Sequence, residues 1–166
     1  MGQRITAVLE TSYWVLAWRA DVAANCLDLF EMIPPRAVEK EIHEKDPLVP
    51  AGEFPYATLF RHLRDKMTDP PDPEPKPLNM YGPGEAAAIA LAQKLGVALL
   101  INEAKAMKYA SNIGLPTITV PTTIVVLYRN GVISNKAAWR KLELLKGNTA
   151  PVIIGDAAAA LTALGA

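Results

Sequence analysis

A chain of 166 residues that is 51% hydrophobic and 20% charged is long enough for one domain with a real core and too apolar for general disorder. Its 17 basic and 17 acidic residues cancel to a net charge of zero, which argues against histone-like capture of nucleic acid while leaving room for a local basic patch. One cysteine, Cys26, with only His43 and His62 as helpers, excludes an internal disulfide, disfavours a zinc cluster and fits a reducing compartment. No apolar run reaches bilayer length, and Glu10 and Arg19 interrupt any leader pattern, so the expectation is a cytoplasmic protein with no membrane contact.

Ile5 to Leu9 reads as a buried strand that ends at the corner Glu10-Thr11-Ser12, where Thr or Ser caps the next helix. Two helical stretches follow, 13–20 and 21–31, with Asp21 as the cap between them and Val22, Cys26, Leu29 and Ile33 at helical spacing. Pro34-Pro35 opens a third helix whose faces divide as Ala37, Val38, Glu41, Ile42 and Glu39, Lys40, His43, Glu44. A short helix over 56–67 and a proline-rich connection over 69–77 lead to a helix from Glu85 that Gly96 stops. Val97 to Ile101 predicts a parallel strand, Asn102 a cap for the helix 103–112, and Thr117 to Val120 another strand. Helices over 122–130 and 135–146 come next, then a last strand at 152–154 and an alanine-rich terminal helix capped by Asp156. The alternation predicts a single α/β domain over 1–166, three layers deep, with a central parallel sheet of four or five strands and an elaborated loop at 47–77.

In an open parallel sheet the binding crevice lies beyond the carboxyl ends of the strands. Glu10 follows the first strand there, and Glu103 follows Ile101 through Asn102. Glu41 is the one acid on the apolar side of its helix, and Glu85 stands in the first turn of another. Carboxylates gathered this way repel unless a divalent cation neutralises them, and hard oxygen ligands favour Mg²⁺ or Mn²⁺ over zinc. Each acid also has an ordinary use. Glu10 ends a strand in solvent, Glu85 and Glu103 favour a helix dipole, and Glu41 has Arg19 or Arg36 as a possible partner. A rival pattern, Gly82-Pro83-Gly84-Glu85-Ala86-Ala87 with Glu103 about 20 residues on, has the outline of a dinucleotide fingerprint but no strand before it, because Pro75, Pro77 and Asn79 stand there.

The run Gly84-Glu85-Ala86-Ala87-Ala88-Ile89-Ala90-Leu91-Ala92, then Leu99 to Glu103 and Gly114-Leu115, resembles the PIN-domain family, in particular its toxin-like, predicted nucleic-acid-binding branch. Tyr128 to Ile133 continues the likeness, Glu10-Thr11-Ser12 stands where the family has Asp-Thr-Ser, and Pro35, Val38, Glu41 and Ile42 match its inward-Glu helix. The matching is strongest over 4–46 and 78–146. The resemblance implies a metal-dependent endoribonuclease with Glu10, Glu41, Glu85 and Glu103 as catalytic acids, of which Glu10, Glu85 and Glu103 hold Mg or Mn. It implies support from Thr11, Ser12, Asn102 and Lys105, and products bearing a 5′-phosphate and a 3′-hydroxyl. Glu replaces the usual Asp at 10 and 103, Asn102 replaces an acid, and Met107 stands where an Arg is frequent.

Arg61, Arg64 and Lys66 are the candidate contacts to an RNA backbone, and Tyr56, Phe60 and Tyr81 candidate stacking surfaces. Implied partners are RNA, an antitoxin-like protein that covers the pocket, and a second copy of the chain paired through helices bearing Trp14 and Trp18. Two other readings stand beside the nuclease: a non-catalytic PIN-like module that binds RNA or a protein, and an α/β domain that binds a dinucleotide or other small molecule.

Overall fold

The computed structural model describes residues 3–45, 47–48, 52–77, 79 and 82–165. The apolar run Ile5–Leu9 forms β1 and is fully buried from Ala7 onward. α1 (Thr11–Arg19) follows at once, and its cap is Glu10, whose carboxylate accepts the amide of Ser12. Thr11 and Ser12, the expected caps, are already inside the helix. α1 ends at Ala20, and the chain reverses through Asp21 at φ +56°, a left-handed conformation that a short polar side chain tolerates better than most. The Lys141 ammonium crosses from another helix to donate to the carbonyls of Ala20, at 3.2 Å, and Asp21, at 3.0 Å, satisfying the end of α1.

α2 (Ala23–Leu29) is shorter than its spacing predicts because Phe30–Ile33 is a strand, β2. Phe30 to Ile33 pair in parallel register with Ile5 to Val8, and this non-local pairing overrides the helical periodicity of Cys26, Leu29 and Ile33. Asp21 does not cap α2 either; Val22 does, with no side-chain bond. α3 (Arg36–Ile42) starts after Pro35, and α4 (Pro55–Leu63) runs on into a 3-10 turn at Arg64–Lys66. Residues 69–77 contain no helix or strand, as their prolines dictate.

α5 (Pro83–Leu95) is closed by Gly96 at φ +67°. Then come β3 (Ala98–Leu100), α6 (Ala104–Asn112), β4 (Thr117–Ile118), α7 (Val120–Arg129) and α8 (Asn135–Leu145). The strand expected at 152–154 is instead the start of α9 (Pro151–Ala163). Pro151 suits a first helical turn, and buried Ile153, Ile154, Ala157 and Leu161 follow a helical repeat.

The four strands form one parallel sheet in the order β2-β1-β3-β4, within a three-layer α/β/α arrangement. α3 packs with α5, α7 packs with α8 and α9, and α1 touches both groups. Trp14 is fully buried, donates its indole N–H to the Tyr56 carbonyl at 2.8 Å and meets Phe60 edge-on, so it belongs to the core and offers nothing to a second copy. Among the described residues no helix is long and apolar enough to cross a membrane.

The closure of α1 gives a direct test. Lys141→Met is expected to lower the unfolding free energy by about 1 kcal/mol, and Asp21→Val, which forces a β-branched residue into the left-handed region, by about 1 to 2 kcal/mol. Urea denaturation measures both, and neutral results would remove Lys141 and Asp21 from the account of this corner.

Candidate functional site

β1 connects leftward to β2 and β3 connects rightward to β4, so strand order reverses between β1 and β3. The carboxyl ends of those two strands therefore diverge into a crevice, the place where such sheets bind. Glu10 stands at the end of β1, with its amide on the Leu100 carbonyl at 3.0 Å, and Asn102 and Glu103 follow β3. The Glu10 side chain is only 3% exposed. Its Oε2 accepts the Ser12 amide at 2.7 Å and, very closely, the Ser12 hydroxyl. Burial pushes this carboxyl up from 4.5 to about 7; the Ser12 bonds oppose the shift, and the negative charges of Glu85 and Glu41 add to it.

Glu41 reaches the crevice from the last turn of α3, where Thr11 donates its hydroxyl to Oε1 at 2.9 Å. It lies against Gly84 so closely that a Cβ there would sit 1.6 Å from Oε1; the absence of a side chain at 84 is what admits the carboxylate. Glu85, one residue on, has its carboxyl raised by burial first and then by Glu103 and Glu41. Glu103 is the cap of α6, and both its oxygens are committed, Oε1 to the Lys105 amide at 3.2 Å and Oε2 to the Ala106 amide at 2.8 Å. Lys105 thus enters through its backbone, and its side chain stays exposed. Among the described residues, none of these four acids makes an ion pair with a basic side chain.

Asn102 does not cap α6. Its amide donates to Ser12 Oγ at 3.0 Å, its Oδ1 accepts the Val120 amide at 3.0 Å, and its Nδ2 donates to Thr149 Oγ1 at 3.1 Å. The side chain is buried and serves as a junction between β3, the start of α7 and the segment before α9. Sequence reasoning named Gly84 without its part in admitting Glu41, and missed Thr149. The part of Gly84 was legible in principle, since a glycine beside an acid in a first helical turn signals a close approach. Thr149 carried no signal.

The expectation of a Mg²⁺- or Mn²⁺-dependent ribonuclease fails here. Among the described residues no group of three or more His, Cys, Asp or Glu side chains is arranged to hold a metal ion. The physical cause lies in the bonds just described: the longer carboxylates of Glu10 and Glu103 fold back to bind amides of their own helices, and Glu41 is drawn to Thr11. Oxygens turned this way do not converge on one point as a hard cation demands. A metal-dependent nuclease activity, a Mg or Mn cofactor and metal-holding roles for Glu10, Glu85 and Glu103 therefore have no geometric basis among the described residues.

The basic candidates lie on another part of the surface and two are already engaged. Arg61 pairs with Glu53 at 3.0 Å, and Arg64 with Glu39 at 3.1 Å and Asp69 at 2.7 Å. Lys66 lines a polar depression with Arg4 and Asp28, below the start of β1. Phe60 is fully buried, Tyr56 stacks on Phe54, and Tyr81 lies outside the described residues. The strand that a dinucleotide fingerprint needs before Gly82 is absent among the described residues.

A short parallel sheet between helical layers, with acids at its switch point, defines a class of small α/β domains. The chain belongs to the PIN-domain family: the family model described as DUF3368, PIN domain, matches residues 24–154. That span includes Glu41, Glu85, Asn102 and Glu103 and begins after Glu10, Thr11 and Ser12. It carries the family and not the toxin-like branch. No curated protein matches the chain.

The buried Glu10 sets a pH dependence. Its carboxyl titrates near 4.5 when unfolded and about 7 when folded, so in between the folded protein holds a proton that the unfolded chain has released. Unfolding free energy therefore falls as pH rises through that window, by on the order of 3 kcal/mol from this group. Glu10→Gln keeps an acceptor for the Ser12 amide and is expected to flatten that part of the curve and to stabilise the protein at about pH 8. Parallel curves for the two proteins would refute the assignment.

Proposed function

We propose that this chain is a non-catalytic PIN-domain binding module whose acidic crevice receives a basic side chain from a protein partner, of the kind an antitoxin-like protein would supply. The observation that carries the reading is the set of unneutralised carboxylates: Glu10 and Glu85 are both pushed up in part by neighbouring acids, and no basic side chain among the described residues pairs with them. A guanidinium suits such a crevice better than a metal ion does. Its five donors spread over several ångströms and bridge carboxylates that do not share a focus, whereas a metal ion requires every oxygen at roughly 2.0–2.6 Å. Phosphate, by contrast, is repelled there.

A second reading, RNA binding away from the crevice, is favoured by a different observation. The neutral total hides a division, with nine basic and fourteen acidic residues in 1–85 and eight basic against three acidic in 86–166. Lys105 and Lys108 share one exposed face of α6, and Lys136 and Arg140 one exposed face of α8. Pairing of two copies would use exposed apolar residues such as Leu144 and Val152 in place of Trp14; a concentration-independent monomer mass in sedimentation would end that part of the proposal.

The test of the main reading has two arms. Arginine amide titrated into labelled protein is expected to shift the amides of Ser12, Glu85 and Asn102 saturably, and a Glu10→Gln, Glu85→Gln double variant to lose the effect. In parallel, structured and unstructured RNA incubated with Mg²⁺, Mn²⁺ or chelator is expected to remain intact. Metal-dependent cleavage that vanishes in the double variant would sink the proposal, as would arginine amide binding that the variant leaves unchanged.

A further inference from the structure

A second cavity, of about 340 Å³, lies between α7 and the sheet, from the beginnings of β1 and β2 to Ile118 at the end of β4. Gln3 and Ile5 open β1 and Phe30 opens β2; Thr122, Thr123 and Val126 line the cavity from α7, and Ile118 from β4. It exists because β3 is short. β3 starts pairing opposite Ala7, so Ile5 has a strand neighbour on one side only and is left 54% exposed. The Thr123 hydroxyl is already engaged by Tyr13 at 2.6 Å and the Thr119 carbonyl at 3.0 Å, so the interior presents mainly carbon.

Besides the uncharged polar residues Gln3, Thr122 and Asn130, the lining carries two opposite charges. These are Asp28 on α2 and Arg129 in the last turn of α7; both are exposed, and neither takes part in an ion pair among the described residues. An apolar floor flanked by one anion and one cation is complementary to a molecule that carries both charges beside a hydrocarbon group. We propose that this cavity binds a small zwitterion with an apolar side chain, a free apolar α-amino acid being the simplest form. Arg129 takes the carboxylate, for which a guanidinium offers paired donors; Asp28 takes the ammonium; the side chain rests on Ile5, Phe30, Ile118 and Val126. The volume stands at the lower end of the roughly 300–1,000 Å³ typical of small-molecule sites, enough for one such molecule. No residue lining it belongs to the acidic crevice, so the proposal stands or falls independently of the protein-binding reading.

The probes are leucine and phenylalanine, with 4-methylpentanoate and isoamylamine as compounds that keep the hydrocarbon and one charge only. Titrated into labelled protein, both amino acids are expected to shift the amides of Leu29, Phe30, Ile118 and Val126 saturably. Arg129→Gln and Asp28→Asn, at exposed positions where the fold does not depend on them, are each expected to weaken leucine binding about tenfold or more. The single-charge compounds bind correspondingly less, and Val126→Trp, which fills the cavity, abolishes binding. Three results would overturn the proposal: no saturation by either amino acid at millimolar concentration, shifts that map to Glu10 and Asn102, or charge variants that bind leucine as the unaltered protein does. Shifts at the same amides that follow protein concentration without ligand would also overturn it, by showing that a second copy covers the cavity.

Discussion

The Glu10 carboxylate is turned back on the first turn of α1, where Ser12 holds it through both amide and hydroxyl. The Ser12 hydroxyl in turn accepts the Asn102 amide, and the Asn102 side chain ties in Val120 and Thr149. One chain of hydrogen bonds thus joins the ends of β1 and β3 to the beginnings of α7 and α9. In a low-dielectric setting such bonds strengthen one another and make any unpaired member expensive. The switch point of the sheet is therefore a rigid floor, and the remaining acids are arranged around a fixed reference.

That floor explains why four acids gather without forming a metal centre. A glutamate at a strand-to-helix corner is long enough to reach back to an amide two or three residues ahead, and Glu10 and Glu103 both do so. Glu10 Oε2 and both oxygens of Glu103 are in this way committed to groups of their own helices. Asn102, buried and neutral, needs both its donor and its acceptor for Thr149 and Val120, a combination that a carboxylate does not offer. Three of the residues that depart from the family pattern, Glu10, Asn102 and Glu103, thus consume hydrogen-bonding capacity locally.

Much of the architecture was legible because the strands are short, apolar and bounded by glycine or a polar corner. Ile5 to Leu9 and the segment around Leu99 announce a parallel sheet, and the order of elements announces three layers. β2 was not legible: Cys26, Leu29 and Ile33 keep a helical repeat across the boundary, and only pairing with β1 reveals the strand. The start of α9 failed for the opposite reason, since a short β-branched run outweighed the proline before it. At the crevice, sequence order showed which acids stand near strand ends but not where their oxygens point. Orientation depends on competing amides a few residues away, and on the missing Cβ of Gly84, which determines whether Glu41 fits at all.

The sheet has two open margins, and neither is a good template. β4 is two residues long, too short to register an incoming strand. Along β2, the Met32 carbonyl already accepts the Thr68 amide, so a passing loop occupies part of that margin. Unsatisfied strand margins are where parallel sheets stick to one another and grow into fibrils, and truncation or partial covering is how folded chains prevent it. The brevity of β4 thus has a consequence unrelated to binding: that margin offers an incoming strand almost no backbone to pair with.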